Sequence, residues 1–103
     1  MGTLFDIRNK IIVISGATGV LGSSIAEYLA AEGAIAVILG RNAGKVTALV
    51  KLINDAGGEA HSAVADVTDE AQLIGVREEL ESKFQKIDVL INAAGGNMPG
   101  AVI

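Results

Sequence analysis

The sequence contains no cysteine, one histidine, two phenylalanines, one tyrosine and no tryptophan among its 103 residues. Without cysteine, the chain can form no disulfide framework, thiolate metal site or cysteine nucleophile. The single histidine, His61, excludes a histidine-rich metal centre, and we predict no metal site. Because aromatic side chains are so few, branched aliphatic residues and alanine must fill the interior.

Long apolar runs and clusters of basic residues are also missing. No stretch approaches the ~20 apolar residues that cross a bilayer, and residues 1–10 lack the apolar core of a signal peptide. We therefore expect a soluble, cytoplasmic protein without a membrane partner. The formal net charge is −4, and the absence of any basic run argues against nucleic acid as a partner.

Hydrophobic residues and glycine are abundant instead. Hydrophobic residues make up 50% of the chain, charged residues only 19%, and there are 13 glycines. This composition is typical of a parallel α/β sheet, whose strands are covered on both faces and therefore lack polar alternation. A chain of this length predicts one domain, residues 1–103.

Four short apolar runs alternate with three amphipathic segments. The runs predict strands at Ile11–Ser15, Ala34–Leu39, around Ala63–Ala65, and at Val89–Ile91. Right-handed crossovers between them predict a doubly wound parallel sheet of Rossmann type, with strand order 3-2-1-4 and helices on both faces. Ligands of such sheets bind beyond the carboxyl ends of the strands, at the switch point between the first and fourth strands.

The three amphipathic segments predict the helices. The first runs from Val20 to Glu32 and ends at Gly33, with an apolar face formed by Leu21, Ile25 and Leu29. The second ends at Gly57–Gly58 and carries the stripe Val46, Leu49, Val50 and Ile53. The third has Thr68 as its predicted N-cap and a buried face of Leu73, Val76, Leu80 and Phe84.

A glycine-rich turn, Gly16, Gly19 and Gly22, joins the first strand to the first helix. Residues without side chains let the chain turn sharply, let a phosphate approach the main chain, and let the helix pack closely on its strand. The helix N-terminus then offers unpaired N–H groups and the positive end of its dipole to an anion. The turn therefore predicts a pyrophosphate site.

The second strand ends in Gly40, Arg41 and Asn42, without the acidic residue that holds the ribose 2′-hydroxyl in NAD-selective sites. Arg41 instead carries a guanidinium group suited to a 2′-phosphate. We predict that NADP is preferred to NAD as the cofactor, while NAD stays possible. The alternative is a solvated arginine at a helix start, without a ligand.

Asp66 and Val67 follow the third strand. The Asp66 carboxylate is positioned to accept a hydrogen bond from an adenine amino group, with Val67 packed near the ring. The alternative is a helix-capping residue or a turn acid just ahead of Thr68, and one carboxylate can serve a ligand role and a structural role together.

Three segments together resemble the cofactor motifs of the short-chain dehydrogenase/reductase family. They are residues 15–22 (SGATGVLG), Asp66-Val67, and residues 92–95 (NAAG), in the family's order. The resemblance implies that Gly16, Gly19 and Gly22 line the pyrophosphate turn, with backbone contributed by Thr18 and Leu21. It also implies that the adenosine ribose lies beside Asn92, Ala93 and Gly95.

The glycine spacing departs from the commonest family pattern, Gly-x-x-x-Gly-x-Gly, and is similar to that of the family's extended branch. Residues 92–95 are typical of the ordinary reductases instead. The segments LGRN (residues 39–42) and LINAAGGNMP (residues 90–99) resemble the sugar-acid oxidoreductases of the D-mannonate oxidoreductase type. That resemblance implies that the full-length protein acts on a carbonyl or hydroxyl substrate, a sugar acid, whose pocket lies outside these residues.

The family's catalytic Tyr-x-x-x-Lys pattern is absent. The only tyrosine, Tyr28, is followed four residues later by Glu32, so we assign no catalytic residue and expect no turnover from these residues alone. We expect a truncated sheet without its C-terminal catalytic part, whose open edge favours a homo-oligomer. The alternatives are a non-catalytic dinucleotide-binding module or a remnant without a role.

Overall fold

A computed structural model of the chain describes residues 7–17, 19–66 and 68–93. The strands are β1 (Ile11–Ser15), β2 (Ile35–Gly40), β3 (Glu59–Val64) and β4 (Val89–Asn92). All pairings are parallel, and the order is β3-β2-β1-β4. The predicted parallel sheet of order 3-2-1-4 is therefore confirmed.

Three helices connect the strands and cover both faces of the sheet. They are α1 (Val20–Ala31), α2 (Ala43–Asp55) and α3 (Glu70–Phe84). Because side chains alternate along a strand, Ile12 and Ile14 of β1 pack in the cluster that holds α1 and α2. Ile11 and Val13 pack in the opposite cluster, which holds α3.

The buried face of α1 differs from the predicted one. The predicted apolar face was Leu21, Ile25 and Leu29, of which Leu29 packs half-buried against the core, whereas the residues that are buried are Gly22, Ala26 and Ala30. Leu21 is 60% exposed. Small side chains allow α1 to lie close to the sheet, and the larger residues are displaced to the flanks of the contact.

The strand β3 begins earlier than the predicted centre at Ala63–Ala65. Its first paired residue is Glu59, opposite Ile35 of β2. The side chain of Asn54, near the end of α2, fixes this start: its amide donates to the Ala60 carbonyl at 3.2 Å and accepts from the Ala60 N–H at 2.9 Å. The start of β3 is polar and has no apolar run to signal it. The Asn54 amide satisfies the N–H and the carbonyl of Ala60 in the way that a neighbouring strand would.

The N-cap of α3 also lies one residue later than predicted. Asp69, and not Thr68, caps the helix, with its carboxylate accepting from the N–H groups of Ala71 and Gln72. The Thr68 hydroxyl instead donates to Asp66. Leu80 is the fully buried residue of α3, and Leu73, Val76 and Phe84 pack beside it as half-buried residues.

Candidate functional site

The carboxyl ends of the four strands lie side by side. Ser15, the last residue of β1, pairs in register with Leu39 of β2 and with Asn92 of β4. Gly40 of β2 pairs in turn with Val64 of β3. The glycine turn, Arg41, Asp66 and Asn92 therefore follow adjacent positions along one edge of the sheet.

The turn after β1 is tight and uses glycine where the backbone requires it. Gly16 has φ 76°, in the left-handed region that favours glycine. Its N–H donates to the Leu39 carbonyl at 3.3 Å, and its carbonyl accepts from the Gly19 N–H at 3.3 Å. The chain thus leaves β1, reverses within a few residues and enters α1 directly over the strand.

Gly22 and Gly19 meet very different surroundings. A Cβ at Gly22 would lie 2.5 Å from the Gly16 carbonyl oxygen and 2.7 Å from the Ala17 Cα. A Cβ at Gly19 would meet one described atom, the Gly16 oxygen at 3.7 Å. Gly22 is thus a packing glycine, whereas among the described residues, its chain neighbours aside, the space at Gly19 is open.

The first turn of α1 is suited to an anion. Its N-cap is Gly19, which has no side chain to satisfy the helix N–H groups, and the first turn contains no acidic residue. Unpaired N–H groups and the positive end of the helix dipole therefore face the edge of the sheet where the carboxyl ends of the strands lie, called the strand exits below. Leu21, 60% exposed, lies in this turn.

Arg41, a cationic residue, and Asn42 follow the carboxyl end of β2. Asn42 is used as the N-cap of α2, because its Oδ1 accepts from the Lys45 N–H at 3.0 Å. Arg41 is exposed. Its charge acts on Asp66 across the gap between the exits of β2 and β3.

Asp66 forms a compact turn with Thr68. Its Oδ1 accepts from the Thr68 N–H at 2.9 Å and from the Thr68 hydroxyl at 2.6 Å. These two hydrogen bonds lower the pKa of Asp66; burial opposes them, and the charge of Arg41 adds a smaller lowering effect. The carboxylate is therefore held ionised as an acceptor. Asp66 is a turn acid bonded to Thr68, whereas the helix cap is Asp69.

The exits of β1 and β4 are joined by side chains and by main chain. The buried Ser15, 7% exposed, donates from Oγ to Asn92 Oδ1 at 3.3 Å. The Ala93 N–H donates to the Ser15 carbonyl at 2.8 Å. The sequence analysis placed Ser15 in the motif of residues 15–22 without predicting this contact, although a lone hydroxyl at the end of the apolar run IIVIS was a detectable signal.

Three predicted site residues, Thr18, Val67 and Gly95, lie outside the described residues. Of the remaining polar groups, His61 lies in β3, where its Nε2 is 2.8 Å from Glu59 Oε2 and its Nδ1 is 3.3 Å from Lys83 Nζ. Tyr28 is 65% exposed on α1, away from the exits. Neither residue contributes to the edge where the cofactor motifs meet.

Among the residues that the structure describes, no group of three or more histidine, cysteine, aspartate or glutamate residues could hold a metal ion. None of the helices described is long and apolar enough to cross a membrane.

Comparison with known proteins gives a consistent family assignment. A sequence profile of the family described as short chain dehydrogenase matches residues 10–102. The uncharacterized oxidoreductase UxuB of Bacillus subtilis is 43% identical over 97 residues, covering 94% of this chain and 35% of that protein. This chain spans between 34% and 43% of the length of three curated relatives.

Solved structures of similar fold contain nicotinamide cofactors. One, from Haemophilus influenzae, has the provisional name D-mannonate oxidoreductase and bound NAD. It is 38% identical, with a TM-score of 0.83, over 93% of this chain and 34% of its own. A metagenomic short-chain oxidoreductase in complex with NADP is 28% identical, with a TM-score of 0.79, over 84% of this chain and 39% of its own.

Proposed function

Because the chain belongs to the short-chain dehydrogenase family, we propose that it binds the adenosine diphosphate half of a nicotinamide dinucleotide. In this role it forms the cofactor-binding part of an oxidoreductase, within one domain of residues 1–103. The observation that carries the proposal is the open space above Gly19, at an α1 N-terminus without a capping side chain. A pyrophosphate fits this position because main-chain N–H groups and the helix dipole both favour an anion.

Residues at the carboxyl ends of β3 and β4 supply further contacts to the nucleotide. Asp66 accepts from the adenine amino group, and Val67 packs beside the ring. Asn92, Ala93 and Gly95 shape the wall beside the adenosine ribose. The backbone of Thr18 and Leu21 completes the pyrophosphate turn.

Arg41 selects NADP over NAD in this proposal. It is the exposed cation at the end of β2, and no carboxylate stands at Gly40, Arg41 or Asn42 to repel a 2′-phosphate. The guanidinium group can bind a phosphate through two parallel hydrogen bonds. The solved relatives include both an NAD and an NADP complex, so the preference rests on this residue.

The whole protein acts on a carbonyl or hydroxyl substrate, and we place that substrate among the sugar acids. Support comes from the segments at residues 39–42 and 90–99, and from the 38% identity to the protein provisionally named D-mannonate oxidoreductase. The nicotinamide, when bound, supplies or accepts the hydride. The residues described here bind and orient the nucleotide end of the cofactor.

A second candidate function is a dinucleotide-binding module without turnover. It is favoured by Tyr28, the only tyrosine, which is exposed on α1 and is followed four residues later by Glu32 in place of lysine. Sequencing the coding DNA beyond codon 103 separates the two functions. A downstream Tyr-x-x-x-Lys pattern supports the oxidoreductase, and a stop codon supports the module.

The replacement Gly19→Ala tests the pyrophosphate site. Gly19 has φ −79°, and the new methyl group would meet the Gly16 oxygen at an ordinary 3.7 Å, so the fold tolerates it. The methyl group would, however, occupy the space proposed for the phosphate. We expect the affinity for NADP and NAD, measured by titration calorimetry, to fall about tenfold or more.

The matched control is Gly75→Ala, on α3. Apart from its chain neighbours and the backbone of its own helix, no described atom lies within 4 Å of a Cβ there, and the residue is exposed in the second turn of α3. Its cofactor affinity should equal that of the unsubstituted chain. Undiminished binding by a folded Gly19→Ala variant would refute the proposed pyrophosphate position.

A further inference from the structure

We infer that Gln72 is a positioning residue, which holds the loop between β3 and α3 so that Asp66 presents one open carboxylate oxygen to an adenine base. The inference rests on the proposed function, because it concerns how the same nucleotide is recognised. Gln72 lies in the first turn of α3 and is exposed. Its side chain points back along the chain, toward the loop.

The side-chain amide of Gln72 ties together the two ends of this loop. Its Oε1 accepts from the Asp66 N–H at 2.8 Å. Its Nε2 donates to Asp69 Oδ2 at 3.1 Å. Because Asp69 is itself fixed as the N-cap of α3, the Gln72 side chain anchors the main chain of Asp66 to the helix, alongside the hydrogen bond that the Asp69 N–H donates to the Asp66 carbonyl at 2.9 Å.

The loop leaves a single acceptor available on Asp66. Both hydrogen bonds from Thr68 reach Oδ1, and no donor among the described residues bonds to Oδ2. An ionised carboxylate oxygen accepts hydrogen bonds and cannot donate them. It therefore fits a base with an amino group, such as adenine, and opposes hypoxanthine, which carries a carbonyl oxygen at the same position.

Thr68 and Gln72 orient different parts of the site. The Thr68 hydrogen bonds orient the carboxylate relative to its own loop, whereas Gln72 orients that loop relative to α3 and the sheet. Without Gln72, the Asp66 N–H loses its acceptor. The loop then keeps the hydrogen bond from the Asp69 N–H to the Asp66 carbonyl but loses its side-chain bridge, so that it can shift relative to α3. The position of Oδ2 relative to the glycine turn, and hence the discrimination between bases, would then be lost.

The test measures the affinity of the chain for ADP and for IDP, its hypoxanthine counterpart, by titration calorimetry. We expect the unsubstituted chain to prefer ADP by about tenfold or more, the effect of one hydrogen bond to a charged group. Gln72→Leu should reduce this preference about three- to tenfold, mainly by weakening ADP. If Gln72→Leu fails to fold, Gln72→Asn serves the same purpose, because its amide is one methylene too short to bridge the loop.

A swapped pair separates positioning from a general structural effect. Gln72→Glu alone places two carboxylates side by side and should lower the ADP preference. Combining it with Asp69→Asn exchanges donor and acceptor between the two side chains. The glutamate at position 72 still accepts from the Asp66 N–H. The asparagine at position 69 donates its amide N–H to that glutamate and still caps α3 through its oxygen. This double variant has the original net charge and should recover the ADP preference.

Glu79→Leu, an exposed change further along α3, is the matched control and should leave the ADP preference intact. Equal weakening of ADP and IDP by Gln72→Leu, or no recovery in the swapped pair, would overturn the inference while leaving the proposed function standing. Absence of ADP binding by the unsubstituted chain would overturn both.

Discussion

Asp88 and Ile11 are joined by two hydrogen bonds that connect the beginnings of β4 and β1. The Asp88 N–H donates to the Ile11 carbonyl at 2.9 Å, and Asp88 Oδ2 accepts from the Ile11 N–H at 2.8 Å. Lys86 lies 3.2 Å from the other carboxylate oxygen. At the opposite end of the same strand pair, Ser15 bonds to Asn92, so side chains secure β4 to β1 at both ends.

We predict that Asp88→Ala destabilises the fold. The side chain of Asp88 is 14% exposed, and its removal would leave the N–H of the buried Ile11 without its partner. The expected loss is about 1–3 kcal/mol in the free energy of unfolding, measured with urea. Asp55→Ala, which removes an exposed carboxylate paired with Lys51, should change it by less than about 1 kcal/mol.

The stability contributed by Asp88 should also depend on pH. The hydrogen bond from Ile11, opposed by burial and assisted by Lys86 and Lys10, lowers the pKa of Asp88 from its ordinary 3.8. A lowered folded-state pKa gives stability that is present above pH 3.8 and is lost as the pH falls through the folded value. Asp88→Asn should therefore flatten the decline in stability below that pH; an unchanged acid profile would contradict this.

The strand order could be predicted because each strand is a continuous apolar run between turn signals. Ile11–Ser15 is buried at every position, which is what a strand covered on both faces requires. The buried face of α1 could not be predicted in the same way. Periodicity favoured Leu21, Ile25 and Leu29, but the distance between helix and sheet selects the smallest residues, and hydrophobicity alone does not reveal that distance.

The glycine turn, Arg41 and Asp66 were identifiable because each follows a predicted strand. The contacts that organise them were not. Ser15 and Asn92 are 77 positions apart in sequence, and their pairing depends on the register of β1 and β4. The bridge from Gln72 to Asp66 depends on where α3 begins, which the sequence placed one residue too early.

Replacing Gly22 and Gly75 by alanine should change the free energy of unfolding in opposite directions. We predict that Gly22→Ala destabilises the fold by about 1–3 kcal/mol, because the new Cβ would lie 2.5 Å from the Gly16 carbonyl oxygen. The backbone at this contact has little freedom to move, since Gly16 bonds to both Leu39 and Gly19. Thermal unfolding followed by circular dichroism measures the change, and an unaltered midpoint would show that the turn relaxes.

Gly75→Ala should instead stabilise the chain. Gly75 lies within α3, and apart from its chain neighbours and the backbone of its own helix, no described atom lies within 4 Å of a Cβ there. Alanine is more favourable than glycine in a helix interior by about 1 kcal/mol. The free energy of unfolding should rise by about that amount, and a decrease would indicate that α3 packs against something at this position.

The edge of the sheet at β4 predicts self-association. Among the described residues β4 pairs with β1 alone, and Leu90 is 50% exposed. Leu90→Lys should lower the average mass measured by light scattering, because lysine on an edge strand opposes pairing with a second chain. The control is Ile74→Lys, on α3 and equally exposed at 50%; an equal effect would point to general apolar contact instead of the strand edge.

The preference for NADP over NAD tests the role proposed for Arg41, which follows β2. Arg41→Asp should weaken NADP by about 10- to 100-fold, because a charge-assisted contact to the 2′-phosphate is replaced by repulsion. Binding of NAD should change by less than about threefold, since a carboxylate at this position can hold the ribose hydroxyls. Arg77→Asp, which alters an exposed arginine of α3 paired with Glu81, should affect neither cofactor. Equal losses for NADP and NAD in the Arg41 variant would remove the 2′-phosphate assignment and leave Arg41 as a solvated residue beside Asp66.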